Sequence, residues 1–217
     1  MKVSRNLTQK YKQFGLKGFI IRVLRTLLRK IGINYEAYDY YATFVDKDIL
    51  LQIWNKNPIE NVKILSFEDF LFGDKSVFTE KKLKIIKNRL NKKNYKAYGI
   101  IENNVLYYSC WICDNELVTS SPSIKYELKS NECLLLDAYC HPTMRGKGMH
   151  TRMNAYRCLK AIEINRPKCI VIVLKGNIPA QKTQQKCGLK VLFSYYILDL
   201  WGKRYTNFYR QKQKYDC

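Results

Sequence analysis

The sequence CHPTMRGKGMH, residues 140–150, follows an apolar run and precedes a segment with helical periodicity. Gly146 and Gly148 allow the backbone to turn tightly and to bring its N–H groups close to a ligand. The helix that follows adds unpaired N–H groups and the positive end of its dipole. Arg145 and Lys147 add positive charge at the same place. This stretch therefore predicts an anion site built from backbone and suited to a pyrophosphate.

The spacing of the two glycines separates this loop from two better-known phosphate-binding motifs. The dinucleotide fingerprint needs a third glycine, and a P-loop needs a lysine followed by serine or threonine after its last glycine. Neither is present in residues 140–150. Taken alone, the loop also fits an ordinary strand-to-helix turn with two glycines.

Strand and helix patterns alternate around this loop. An apolar run predicts a strand at 134–140, a helical period follows over 149–164, and a second apolar run predicts a strand at 169–174. These three segments form one β-α-β unit, which predicts an α/β (α+β) fold with a mixed sheet. The other predicted elements are strands at 62–67, 96–101, 105–113, 189–193 and 195–201 and helices over 79–92 and 178–187.

The N-terminal part of the chain has a different character. Residues 1–35 contain nine basic residues and no acidic one, in a chain whose formal net charge is +21. Over residues 16–31, apolar residues recur at the spacing of one helix face, and Gly32 provides a stop. We therefore predict a basic amphipathic helical extension over 1–45 and a main domain over 46–217. The helix either packs on the main domain or contacts an anionic membrane surface or a partner.

Composition disfavours several classes of protein. No apolar run is long enough to span a bilayer and the N-terminus lacks a signal-peptide pattern, so we expect a cytoplasmic protein. Cys110 and Cys113 form a C-x-x-C within a predicted strand, where they would point to opposite faces, so we expect no metal site. The positive charge would attract polyanions, but no known nucleic-acid-binding pattern accompanies it.

The loop resembles the acetyl-CoA-binding motif of the GNAT superfamily of N-acetyltransferases, written R/Q-x-x-G-x-G/A. Arg145 and Gly148 match its first two marked positions, whereas His150 stands where a small residue is usual. The preceding Cys140-x-Pro142 resembles the family's V-x-P at the correct distance from the arginine.

A second stretch resembles the family's other signature. Asn177 follows a predicted strand, Ala180 comes three residues later, and Gly188 ends the predicted helix. Leu189 replaces the usual phenylalanine. The resemblance covers roughly residues 46–201, and its first half rests only on the order of the elements.

The resemblance implies a sheet in which strands 134–140 and 169–174 splay apart, with the pantetheine arm of acetyl-CoA in the gap. Backbone groups near Tyr139 and Cys140 would bind that arm, and one N–H there would polarise the thioester carbonyl. Asn177 would contact the arm. The pyrophosphate would be held by the backbone N–H groups of Arg145, Gly146, Lys147, Gly148, Met149 and His150.

The resemblance also implies direct attack by a substrate amine on the acyl carbonyl within one ternary complex. Asp137 is the first candidate for the catalytic base and His141 the second. Cys140 is a catalytic candidate because its backbone N–H would polarise the thioester carbonyl. Its side chain would serve only as a small apolar group. The family's usual general acid, a tyrosine, falls on Gln184, which has no acidic proton to give.

Three functions stay open on these grounds. The first is an N-acetyltransferase that uses acetyl-CoA, without a metal, to modify a small-molecule amine such as an amino sugar or a biosynthetic amine. The second is a protein or peptide N-acetyltransferase. The third is a non-catalytic protein that binds an acyl-CoA as a sensor.

Overall fold

Eight strands form one mixed sheet. A computed structural model describes residues 20, 23, 24, 26–114, 116 and 127–209. The strand order is β2-β3-β4-β5-β6-β1-β7-β8. Only β5 and β6 are parallel neighbours; the other adjacent pairs are antiparallel. The strands are β1 Ile33–Phe44, β2 Lys63–Ile64, β3 Tyr95–Glu102, β4 Val105–Cys113, β5 Glu132–Cys140, β6 Lys168–Leu174, β7 Val191–Leu200 and β8 Lys203–Tyr209.

Helices cover both faces of this sheet. One face carries α1, α4 and α5, whose core includes Leu50 and Met153, and the other carries α2 and α3, whose core includes Phe70 and Ile86. Each face buries its own hydrophobic cluster, as expected for a layered domain. The helices are α1 Lys47–Lys56, α2 Phe67–Leu71, α3 Glu80–Leu90, α4 Met149–Glu163 and α5 Ile178–Lys186.

The sequence predictions around the loop are confirmed with small shifts at the ends of elements. Thr79 caps α3 by accepting a hydrogen bond from the Lys82 backbone N–H. The turn between β3 and β4 holds Asn103 and Asn104 at φ of 49° and 57°, a left-handed conformation that asparagine tolerates. The two cysteines of the C-x-x-C do pack on opposite faces of the sheet.

The predicted extension over 1–45 is wrong for residues 33–44. They form β1, which lies between β6 and β7 in the sheet. The tyrosines of this segment explain the placement, because Tyr40 and Tyr41 are both buried, one on each face. Residues 26–30 are helical and Gly32, at φ 81°, ends that helix. Most of the remaining predicted helix lies outside the described residues.

Two further expectations were also wrong. The predicted strand at 62–67 is only two residues long, because Ser66 and Asp69 form a capping box that starts α2. The predicted strands at 189–193 and 195–201 are one strand, β7. After β7, Lys203–Tyr209 continue the sheet as β8, most of which is exposed. In the part of the chain that the structure describes, no helix has the length and apolar character needed to cross a bilayer.

Candidate functional site

The candidate site lies where β5 and β6 separate. The two strands pair only from Glu132 opposite Lys168 to Leu134 opposite Ile170. Beyond that point β6 continues to Leu174 while pairing with β1 on its other side. The expected splay is therefore present, and it leaves a gap bordered by two strand edges.

A bulge in β5 shapes the mouth of this gap. Tyr139 lies opposite Ser109 of β4, and Leu136 lies opposite Trp111, so two residues of β5 face a single residue of β4. Asp137 is one of the two and has φ 46°. Such a bulge bends the strand and increases its twist, which moves the end of β5 away from β6.

A buried arginine supports the bulge from α4. Arg157 is 2% exposed, and its guanidinium donates hydrogen bonds to the carbonyls of Leu136 (3.2 Å) and Trp111 (3.4 Å). It also donates to Oδ1 of Asn154 at 2.5 Å. Leu136 and Trp111 are the residue pair beside the bulge, and the guanidinium donates to both of their carbonyls. A buried carbonyl without a donor would lower the free energy of unfolding.

One backbone N–H at the end of β5 points into the gap. The N–H of His141 donates to Tyr107 of β4 at 2.8 Å. Because successive residues of a strand direct their N–H groups to opposite sides, the N–H of Cys140 faces the side of β6. The Cys140 carbonyl accepts a hydrogen bond from Nε of Arg145 at 3.2 Å. The N–H therefore remains available to a ligand in the gap.

The glycine loop connects this end of β5 to α4. Gly146 and Gly148 have φ of 80° and 72°, and a Cβ atom at either position would meet no atom within 4 Å. Gly148 is the N-cap of α4 and has no side chain to occupy the first N–H groups of the helix. Residues 145–148 are exposed, whereas Met149 is buried and anchors the helix. The loop thus presents backbone to solvent at the start of α4. The expected donor at Arg145 is corrected, because its backbone N–H already donates to the Pro142 carbonyl at 3.3 Å.

A cationic cleft of about 570 Å³ lies beside this loop. Arg152 fixes one wall, because its guanidinium donates to the carbonyls of Asn57 and Lys147 at 3.0 and 2.9 Å. No acidic side chain is among the described residues that line the cleft. Its lining is Ile53, Lys56, Asn57, Lys147, Gly148, Thr151, Arg152 and Lys186. Of the three lysines that line the cleft, only Lys147 was identified from the sequence, because Lys56 and Lys186 come from helices far away in the chain.

His150 has a structural partner that its sequence position did not reveal. Its Nδ1 lies 2.6 Å from the hydroxyl of Tyr108, a fully buried residue of β4. Burial, with a smaller contribution from the charge of Arg157, lowers the pKa of His150 to about 4. The ring is therefore neutral at physiological pH, and its Nδ1 forms a hydrogen bond with the tyrosine hydroxyl.

This histidine should make the protein less stable in mild acid. Its folded-state pKa lies below the unfolded value near 6.5, so between about pH 6.5 and pH 4 the unfolded chain binds a proton that the native protein does not. We expect the free energy of unfolding to fall by about 3 kcal/mol as the pH drops through this window. Urea unfolding at several pH values measures this slope, and His150→Asn should remove it. An unchanged slope in that variant would contradict the assignment.

The two candidate bases occupy different surroundings. Asp137 forms an ion pair with Arg89 of α3, whose guanidinium lies over the rings of Tyr95 and Trp111. The Asp137 side chain thus turns toward the α3 face and is 38% exposed. The Nδ1 atom of His141 lies 2.7 Å from the Thr143 hydroxyl, which ties this ring to the turn after β5.

The side chains of Tyr139 and Cys140 diverge. Tyr139 packs edge-on against Phe78 on the α3 face, and its hydroxyl has no hydrogen-bond partner among the described residues. Cys140 packs against the cluster on the α4 face, and burial raises the pKa of its thiol. The thiol form is therefore favoured over the thiolate, which does not suit a nucleophile.

The residues of the second signature lie on α5. Asn177 is the N-cap of this helix, and its backbone N–H donates to the Leu174 carbonyl at 2.9 Å, just beyond the end of β6. Gln184 is buried, and its amide oxygen accepts a hydrogen bond from Asn154 of α4 at 3.1 Å. The glutamine thus joins α5 to the Asn154–Arg157 pair.

Sequence reasoning missed one buried acid. Asp39 of β1 is 4% exposed and accepts hydrogen bonds from Ser194 at 2.7 Å and from Gln181 of α5 at 2.8 Å. The ammonium of Lys175 lies 4.0 Å away. No signal in the sequence pointed to this carboxylate, because its strand was not predicted.

Comparison with solved structures identifies the fold. This chain is similar to a GNAT-family acetyltransferase from Colwellia psychrerythraea, with a TM-score of 0.52 and 11% identity over 82% of this chain and 60% of that one. The fold is that of the GNAT acyltransferases. At this identity the similarity establishes the fold alone.

Two other solved structures are comparably similar to this GNAT fold. A functionally unknown conserved protein from Staphylococcus epidermidis has a TM-score of 0.53 at 12% identity, covering 82% of this chain and 66% of that one. A Drosophila protein has a TM-score of 0.51 at 13% identity, covering 86% and 59%. The chain thus spans about three fifths to two thirds of the length of these proteins. No family model and no curated protein sequence matches it.

Proposed function

We propose that this protein is an N-acetyltransferase that moves an acetyl group from acetyl-CoA to a primary amine of a small molecule, such as an amino sugar or a biosynthetic amine. The observation that carries the proposal is the alignment of three features. The gap opens between β5 and β6, the glycine loop follows the end of β5 and leads into α4, and the cationic cleft is lined by Lys147 and Gly148 of that loop. A long ligand with a neutral arm and a phosphate-rich end matches this order.

In this proposal the cofactor is held mainly by backbone. The N–H groups of residues 146–150 bind the pyrophosphate, helped by the dipole of α4 and by the charge of the Arg145 side chain. Lys56 and Lys186 offer charge to the remaining phosphate. The pantetheine arm lies along the strand edges near Tyr139 and Cys140, and Asn177 contacts it from the start of α5.

The proposed chemistry is a direct acyl transfer. The amine nitrogen forms a bond to the thioester carbonyl carbon, and the Cys140 N–H stabilises the negative charge that develops on the carbonyl oxygen. Asp137 accepts the proton lost by the amine. The bond from carbon to sulfur then breaks, and the CoA thiolate leaves. Since Gln184 has no acidic proton, the thiolate takes its proton from another group or from water.

The experiment that tests this proposal combines binding and turnover. Calorimetry should show that acetyl-CoA binds and that CoA competes with it. Release of free CoA thiol should then rise when amines are added, across a panel of amino sugars, polyamines and lysine-containing peptides. Turnover with peptides alone would favour a protein N-acetyltransferase, and binding without any turnover would favour an acyl-CoA sensor. Absence of CoA binding at millimolar ligand would refute the cofactor site.

The proposed base gives a sharper expectation. Asp137→Asn should lower turnover about 100-fold while leaving acetyl-CoA affinity unchanged, because only proton removal is lost. Asparagine tolerates the left-handed backbone at this position nearly as well as aspartate, so the bulge should persist. As a control, Arg89→Gln keeps the carboxylate and removes its cationic partner, so it should retain turnover. Near-normal turnover of Asp137→Asn from pH 6 to 9 would exclude this residue as the base.

A further inference from the structure

An exposed apolar surface lies at the N-terminal end of the described chain. The helical residues before β1 leave their large apolar side chains in solvent rather than packing them on the sheet. Trp201, in the turn between β7 and β8, is 74% exposed. We call these residues together the N-terminal apolar face. Its helical members, which are 38% to 59% exposed, are Ile20, Val23, Leu24, Leu27, Leu28 and Ile31.

Trp201 adjoins the end of this helix. Its backbone N–H donates to the Gly32 carbonyl at 2.9 Å. Its ring lies directly over Gly32, where an added Cβ atom would come within 2.8 Å of the indole. Gly32 is therefore required both for its left-handed φ of 81° and for this close approach. The contact makes the helix and the turn one continuous surface.

The helical segment that carries this face has charge of one sign. Residues 20–31 include four basic residues, Arg22, Arg25, Arg29 and Lys30, and no acidic one. Arg29 is neutralised by Glu36 of β1 at 2.8 Å. Lys203 is the first residue of β8 and is separated from Trp201 by one glycine. An occupant of this surface must therefore offer both an apolar layer and negative charge.

We propose that the N-terminal apolar face docks on a membrane surface that contains anionic phospholipid. An amphipathic helix with cations beside its apolar stripe lies in the plane of such a surface and buries the stripe at the boundary of the acyl chains. An exposed tryptophan beside the helix end is the side chain that prefers headgroup depth. This inference does not depend on the proposed reaction.

Vesicle binding of the full chain tests the proposal. With vesicles of phosphatidylcholine containing about a third phosphatidylserine, we expect the protein to co-sediment and its binding to weaken at high salt. Vesicles of phosphatidylcholine alone should bind it far less. The Leu24→Gln/Leu27→Gln double variant should lose about tenfold or more in partitioning. Leu71→Gln is the matched control, because this leucine is 51% exposed on α2, which follows the strand at the opposite edge of the sheet from β8.

Tryptophan fluorescence distinguishes docking by this face from simple attraction of a basic protein. Trp111 is already buried, at 1% exposed, and Trp54 is half-buried against Tyr156, so a blue shift on vesicle binding is assigned to Trp201 only if it is lost in Trp201→Phe, as we expect. Binding that keeps its strength in the double leucine variant, with no blue shift, would overturn the proposal. So would absence of binding to anionic vesicles at low salt, or a dimer that the double variant converts to monomer, since a second copy would then cover the face.

Discussion

Gly148→Asp is expected to weaken acetyl-CoA binding about 100-fold relative to Gly148→Asn, because like charges brought together cost several kcal/mol. Position 148 has φ 72°, which strains most side chains but is tolerated by asparagine and aspartate alike. The two replacements have the same shape, and no atom lies within 4 Å of the position that their Cβ would take. The difference between them therefore isolates the effect of a negative charge at the N-cap of α4.

Calorimetric titration of acetyl-CoA into both variants measures this difference, with melting temperatures in the absence of ligand as the check on folding. Gly148→Asn adds modest strain and a side chain that can compete for the first N–H groups of α4, so it should weaken binding, but much less than Gly148→Asp. Equal affinities of the two variants would mean that no phosphate group lies near this helix end. The pyrophosphate would then have to be placed elsewhere, and the cofactor site with it.

Replacement of Arg157 is expected to have the largest effect on stability. Arg157→Leu removes the donors to the carbonyls of Leu136 and Trp111 and to the Asn154 side chain. A buried acceptor left without a donor costs about 1–3 kcal/mol, so we expect a loss of about 3–5 kcal/mol in the free energy of unfolding. Urea unfolding monitored by circular dichroism measures this loss.

The same helix provides the control. Lys160 lies half-buried at the surface of α4 and pairs with the exposed Glu163 at 2.7 Å. A surface pair of this kind contributes little, so Lys160→Leu should change stability by less than about 1 kcal/mol. If Arg157→Leu loses no more than this control, the bulge in β5 does not depend on the guanidinium. The account of how the gap is held open would then be wrong.

The predictions of secondary structure that the structure confirms depend on local sequence signals. The glycine loop, the helix after it and the asparagine turn between β3 and β4 each depend on residues close together in the chain. The sequence could therefore place the glycine loop, which we propose as the phosphate-binding end of the site. The β5–β6 splay followed from the family resemblance of that same loop.

The parts of the fold and of the site that were not predicted from the sequence depend on contacts between residues far apart in the chain. Strand β1 has no clean alternation, because its tyrosines are buried on both faces, and its position is decided by pairing with β6 and β7. The bulge at Asp137 requires Arg157 from the following helix, and the cleft requires Lys56 and Lys186 from separate helices. None of these neighbours could be inferred from spacing along the chain.

The position of β1 also has a consequence for how the chain reaches its native state. Ile33 pairs with Leu200 and Tyr38 pairs with Leu174, so the centre of the sheet joins the beginning of the described chain to its end. Contacts of such high sequence separation form slowly, because a large loop must close before they contribute stability. During synthesis on the ribosome, β1 emerges long before either of its neighbours. Both neighbours of β1 in the sheet are therefore synthesised only after most of the described chain.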